Sequence, residues 1–158
     1  MFKSITLIAA GALLSFGMTQ KAQAHCEVPC GIYADDLRLQ TIAEDITTIE
    51  KAMKKIVELS ASKTPNHNQI VRWVSNKEKH AENIQKIAYQ YFMTQRVKFP
   101  KADDVKAKAA YTKKLELLHQ ILVYSMKAKQ GTDLKNVKSL RASLAAFSAT
   151  YACKAHTH

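Results

Sequence analysis

The spacing of apolar residues restricts the fold of this chain more than any other feature of its sequence. In four separate stretches, apolar residues recur at steps of three and four, which places them on one face of an α-helix. No stretch shows the strict alternation typical of a strand, and the chain has only four glycines and three prolines for tight turns. The pattern therefore predicts an all-α protein.

The four predicted helices cover about residues 36–60, 69–97, 103–130 and 133–151. Asp35 or Asp36 can cap the first helix, and Gly131 stands where the third should end. Because the links between helices are short, consecutive helices should pack in opposite directions. We therefore expect an antiparallel, up-down four-helix bundle over residues 36–151. The predicted stripes include Ile42, Ile46, Ile49, Met53 and Ile56 in the first helix and Val105, Ala109, Leu115, Leu118 and Leu122 in the third.

The first 24 residues have the organisation of a secretory signal peptide. Lys3 is followed by an uncharged, mostly apolar stretch, and Ala22-Gln23-Ala24 is a small-x-small cleavage signature. A membrane anchor is the alternative, but the uncharged stretch is marginal for a span. We expect a signal peptidase or maturation protease to cut after Ala24. The mature protein, residues 25–158, would then be periplasmic or secreted, without stable membrane association.

The chain is strongly basic, with a formal net charge of +11. Its lysines are spread along the sequence, so no concentrated patch for nucleic acid is predicted, and we expect no nucleic-acid partner. A diffuse positive charge is typical of a solvated helical surface. It also attracts a small anion, because that attraction depends on the summed field of the whole protein.

The new N-terminus created by cleavage carries an unusual group of metal-binding residues. His25 would offer an α-amine and an imidazole, Cys26 a thiolate and a backbone amide nitrogen, and Cys30 a second thiolate. A mixed nitrogen and sulfur set in one plane favours Ni(II) or Cu(II) over tetrahedral Zn(II), although affinity alone does not select nickel. The alternative is a Cys26–Cys30 disulfide, but a loop this small would be stabilised little by closure.

At these residues the chain resembles the nickel superoxide dismutase family, whose N-terminal hook reads H-C-x-x-P-C-G-x-Y. Every fixed position is present, from His25 to Tyr33. The resemblance implies one nickel ion per subunit, bound by His25, Cys26 and Cys30, with the His25 imidazole as an axial ligand. It also implies that Tyr33 helps to position superoxide. Members of the family are homohexamers of four-helix bundles, each with an N-terminal hook. The resemblance therefore implies a hook over residues 25–33 followed by a bundle, and assembly into a homohexamer.

The expected activity is disproportionation of superoxide to dioxygen and hydrogen peroxide by Ni(II)/Ni(III) cycling. The alternative is a non-catalytic nickel or copper carrier outside the cytoplasm. Many members of the family stay in the cytoplasm after removal of a propeptide. A cytoplasmic location after such processing is therefore the alternative to export.

The chain departs from the family at the residues that support the axial imidazole. Some members use a Glu on the first helix and an Arg on the second for this purpose. This chain offers Gln40 or Thr41 near the first position and has His80 where the Arg is expected. At the other end, Cys153, His156 and His158 form a short tail that is a candidate for metal capture.

Overall fold

The computed structural model describes residues 35–152. The predicted signal peptide (1–24), the predicted hook (25–33) and the tail residues Cys153, His156 and His158 lie outside this range. The described part of the chain folds into four helices and contains no strand, which confirms the all-α prediction. The helices are α1 (Asp35–Ser60), α2 (His67–Lys86), α3 (Val105–Gln130) and α4 (Leu134–Ala152), and α2 continues directly into a π-helical segment, Ile87–Arg96.

The π-helical segment differs from the sequence prediction of one continuous α-helix over residues 69–97. In this segment the backbone N–H of Val97 donates to the carbonyl of Phe92, five residues earlier, at 2.9 Å. Two side chains also donate to carbonyls five residues back, Thr94 to Tyr89 at 2.8 Å and Gln95 to Gln90 at 3.2 Å. Apolar spacing cannot distinguish α from π winding over ten residues, so the sequence did not indicate this change.

Hydrogen bonds between helices show that neighbours run in opposite directions. Asp35 at the start of α1 contacts Arg96 at the end of the π-helical segment, whereas Asp45 contacts His80, which comes earlier in the chain. The same reversed order relates α2 to α3, through the pairs Lys77 with Ala128 and Gln85 with Leu122. An ion pair of 3.1 Å between Arg141 and Glu50 joins α4 to α1. The predicted antiparallel order is therefore seen between α1 and α2 and between α2 and α3.

The core lies between the helices and is formed by aliphatic side chains around two phenylalanines. Phe92 and Phe147 are fully buried and meet edge to face, with ring centroids 5.0 Å apart. The stripe predicted for α1 is confirmed for its buried members Ile42, Ile46, Ile49 and Met53. Within the described residues, no helix is both long and apolar enough to span a membrane.

The stripe predicted for α3 is wrong in its first half. Val105 is 81% exposed and Ala109 is also exposed, and the buried residues of α3 begin at Leu117. The reason is a difference in length, because α3 has 26 residues and the described part of α4 has 19. The first turns of α3 therefore have no partner along the described part of α4, and regular spacing alone cannot reveal this.

The C-terminal end of α3 is closed by a lysine from α2 rather than by a left-handed glycine. Gly131 follows the helix as predicted, but its backbone is extended, with φ −164° and ψ −166°. Instead, the buried ammonium group of Lys77 donates to the carbonyl of Ala128 at 2.8 Å and to that of Lys129. A cation at this position also suits the negative end of the helix dipole.

Truncation of the central aromatic pair tests the assignment of the core. Phe147→Ala should lower the free energy of unfolding by about 3–5 kcal/mol, because it removes buried surface and leaves a cavity. Val105→Ala is the control, since Val105 is exposed, and should change stability by less than about 0.5 kcal/mol. Urea unfolding of both variants measures the difference. Equal losses in the two variants would contradict the burial described here.

Candidate metal centre

The predicted nickel ligands cannot be placed by the structure. His25, Cys26, Cys30 and the predicted substrate-positioning residue Tyr33 all lie before the first described residue. Within residues 35–152, no group of three or more His, Cys, Asp or Glu side chains comes together to hold a metal ion. The hook therefore stays a prediction, and the described residues are those that could support it.

Three described residues are candidates from the sequence for supporting the His25 imidazole, and they differ in their surroundings. Gln40 is exposed on α1. The hydroxyl of Thr41 donates to the carbonyl of Leu37 in the same helix at 2.8 Å. His80, in contrast, is held across the interface between α1 and α2. Of the three, His80 alone takes part in a hydrogen-bonded cluster between helices.

The cluster around His80 is centred on a buried carboxylate, Asp45. Nδ1 of His80 lies 2.6 Å from Oδ1 of Asp45, and the side-chain amide of Asn83 donates to Oδ2 at 2.6 Å. The Asp45 side chain is 7% exposed and that of His80 is 29% exposed. A neutral His80 therefore carries its proton on Nδ1, where the carboxylate accepts it, and keeps an acceptor lone pair on Nε2.

An open pocket of about 420 Å³ lies beside this cluster. Besides the three residues of the cluster, it is lined by Lys79, Glu82 and Lys86. Asp45 is not among the site residues predicted from the sequence. A signal was available, because Asp45 lies three residues after Ile42 and next to Ile46, within the apolar stripe of α1. An acidic residue at such a position indicates a partner on the facing helix.

A second carboxylate, the largely shielded Asp35, joins the first residue of α1 to the π-helical segment. The hydroxyl of Tyr91 donates to Oδ1 of Asp35. Arg96 donates to Oδ2 through Nε at 3.0 Å and through Nη2 at 2.6 Å. The Asp35 side chain is 10% exposed and that of Arg96 is 22% exposed, so this ion pair is largely shielded from water.

The environment of Tyr91 changes its acidity. Burial and the hydrogen bond to Asp35 raise the pKa of Tyr91 to about 12. The guanidinium group of Arg38 lies over the Tyr91 ring, 5.3 Å from its centroid. Nothing in the spacing of the sequence indicates a hydrogen bond from the Tyr91 hydroxyl to a residue 56 positions away.

Comparison with known proteins identifies the family. The sequence profile of a family described as nickel-containing superoxide dismutase matches residues 20–154. The chain belongs to the nickel-containing superoxide dismutase family. No curated protein and no solved structure matches it. Membership of this family makes the protein an oxidoreductase with a nickel cofactor and superoxide as its substrate.

The matched range of this nickel superoxide dismutase includes both the predicted hook and all four described helices. At the position where some members have an Arg, this chain presents an imidazole that is held by a buried carboxylate. Held through Nδ1, the His80 ring offers one further hydrogen-bonding atom, Nε2, which accepts in the neutral ring and donates in the imidazolium, whereas a guanidinium offers five donors. The replacement therefore changes the hydrogen bonds available at this position.

Removal of the Asp45 carboxylate tests the importance of the His80 cluster. Asp45→Ala leaves His80 Nδ1 and the Asn83 amide without their acceptor, so we expect a loss of about 2–3 kcal/mol in the free energy of unfolding. Glu44→Ala, at the exposed neighbouring position, is the control and should cost less than about 0.5 kcal/mol. Denaturant unfolding compares the two variants. A cost for Asp45→Ala as small as that of the control would show that the cluster contributes nothing to stability.

The raised pKa of Tyr91 predicts a loss of stability in alkali. A tyrosine with a raised pKa stabilises the folded protein below its unfolded pKa of about 10. That contribution is lost as the pH rises through the folded pKa of about 12. We expect Tyr91→Phe to be about 2 kcal/mol less stable than the wild type at pH 8, because Asp35 loses a donor. The difference should shrink between pH 10 and pH 12.

Urea unfolding at several pH values measures this difference. Tyr89→Phe is the matched control, since Tyr89 is 50% exposed and should show no such convergence. If the gap between the wild type and Tyr91→Phe stays constant up to pH 12, the hydroxyl of Tyr91 is not held in its protonated form by folding.

Proposed function

We propose that the chain, cleaved after Ala24, disproportionates superoxide with a nickel ion bound at the N-terminal hook. In the overall reaction, two superoxide anions and two protons give one dioxygen and one hydrogen peroxide. The main support is the family match over residues 20–154, which includes the complete hook motif from His25 to Tyr33. The family gives the activity, and the assignment of individual residues is our proposal.

The donor groups of the hook fit nickel. Two thiolates, from Cys26 and Cys30, combine with the α-amine and imidazole of His25 and the amide nitrogen of Cys26. Such a mix of nitrogen and sulfur donors would suit divalent nickel or copper. When bound, nickel would supply the one-electron Ni(II)/Ni(III) couple that disproportionation of superoxide requires.

The remaining roles belong to the protein. The Tyr33 hydroxyl positions superoxide or an ordered water. Held through Nδ1 by buried Asp45, His80 is the best candidate among the described residues to orient the His25 imidazole, since its Nε2 can accept a hydrogen bond. The other two candidates are less suitable, because Gln40 is exposed and the Thr41 hydroxyl donates a hydrogen bond to a carbonyl of its own helix. The net charge of the chain speeds encounter with the anionic substrate.

We also propose that the mature enzyme is exported and assembles into a homohexamer. Export is supported by the signal-peptide features of the first 24 residues and by the Ala22-Gln23-Ala24 cleavage signature. Assembly is supported by the family resemblance.

The decisive experiment tests the free amine of His25. The nickel-loaded chain that begins at His25 should destroy superoxide catalytically, as followed by the decay of its ultraviolet absorbance. The control is the same chain with one extra residue before His25, which converts the amine into an amide and should reduce catalysis by at least about 100-fold. Stoichiometric nickel without catalysis in the first chain would favour the metal carrier and overturn the dismutase proposal.

A further inference from the structure

The contacts of Asp35 hold the first turn of α1 more firmly than apolar packing does. Leu37, the apolar residue of this turn, is 50% exposed, and the first buried apolar residue of α1 is Leu39. In contrast, the Asp35 carboxylate is shielded and accepts hydrogen bonds from Tyr91 and Arg96. The position of the start of α1 therefore depends on these polar contacts.

The π-helical winding makes this arrangement possible. Tyr91 and Arg96 are five residues apart, and in an α-helix such residues point about 140° away from each other. With π winding, at about 4.4 residues per turn, the same two residues point within about 50° of each other. Because the segment Ile87–Arg96 is π-helical, both side chains can reach one carboxylate. An α-helical segment would present only one of the two to Asp35.

Asp35 is also the described residue that comes first after the predicted hook. Tyr33 precedes it by two residues and Cys30 by five. A fully extended chain of these lengths spans at most about 7 Å and about 17 Å. A displacement of Asp35 would therefore also displace Tyr33, the proposed substrate-positioning residue, and Cys30, the last proposed nickel ligand, because few residues separate them from Asp35.

We propose that Asp35, Tyr91 and Arg96, here named the Asp35 clamp, are positioning residues for the nickel hook. This inference rests on the proposed function, in which residues 25–30 bind the metal. A fixed attachment point limits the positions from which residues 25–30 can reach nickel, so less entropy is lost on binding and release of the metal is slower. The clamp acts through Asp35 and needs no contact with the metal.

The test measures how fast nickel is released from the full mature chain that begins at His25. Nickel-loaded protein is mixed with an excess of a chelator, and transfer of the metal is followed by absorbance. Arg96→Gln removes both hydrogen bonds from Arg96 to Asp35, and we expect it to release nickel roughly tenfold faster than the wild type. Hydrogen exchange of the backbone amides at residues 39–42, the first in α1 with carbonyl acceptors inside the helix, should also become faster.

Two control variants separate positioning from charge and from stability. Arg141→Gln breaks the ion pair with Glu50, which also joins two helices, and it changes the net charge by the same amount as Arg96→Gln. Val137→Ala weakens the buried core of α4, away from the clamp in the sequence. We expect both controls to release nickel at the wild-type rate. Faster release in Arg96→Gln alone would support the clamp.

The outcomes distinguish this inference from the proposed function. Release from Arg96→Gln at the wild-type rate, or equally fast release from the controls, would overturn the clamp while leaving the dismutase proposal intact. If the wild-type chain does not hold nickel through the His25 amine, the proposed function fails and the nickel role of the clamp fails with it. Unchanged hydrogen exchange at residues 39–42 in Arg96→Gln would overturn the clamp in either case.

Discussion

The antiparallel contact between α1 and α2 is the feature on which the other parts of the described structure depend. It combines apolar packing with two shielded carboxylates of α1, Asp35 and Asp45, that find partners along the neighbouring helix. Burial of a carboxylate is costly unless charged or hydrogen-bonded partners compensate for lost water. The two clusters therefore favour one register of α1 against α2, since a shift along the helix would leave both carboxylates without partners.

The two carboxylates serve different parts of this contact. Asp45 lies within the apolar stripe and holds His80 and Asn83, so it orders side chains that border an open pocket. Asp35 lies at the start of α1 and connects it to the π-helical segment. In our proposal, the first cluster orients an imidazole and the second fixes the attachment of the hook. Both would act on nickel from a distance, through hydrogen bonds and short stretches of chain.

The family assignment and the structure describe complementary parts of the protein. The match over residues 20–154 establishes a nickel-containing superoxide dismutase, and the described helices provide its scaffold. Four-helix bundles support many unrelated activities, so the bundle by itself would not have indicated this one. The assignment of a nickel site depends on the nitrogen and sulfur ligands offered by the residues that follow Ala24. In our proposal the bundle supplies the supporting contacts, and these differ from the Glu and Arg that the family resemblance implies for some members.

The sequence by itself determined the helices, much of the core and the proposed ligands. Helical spacing identifies Ile42, Ile46 and Ile49 as buried because period is a local property, and the hook motif is contiguous, so its donors can be read directly. Only the tertiary structure decided which of the regularly spaced apolar residues pack against a neighbouring helix. Val105 fits the spacing but lies beyond the described end of α4. The bonds that Asp35, Asp45 and Lys77 make between helices join residues 35 or more positions apart, where local patterns carry no information. The π winding is local, but apolar spacing does not distinguish it from α winding.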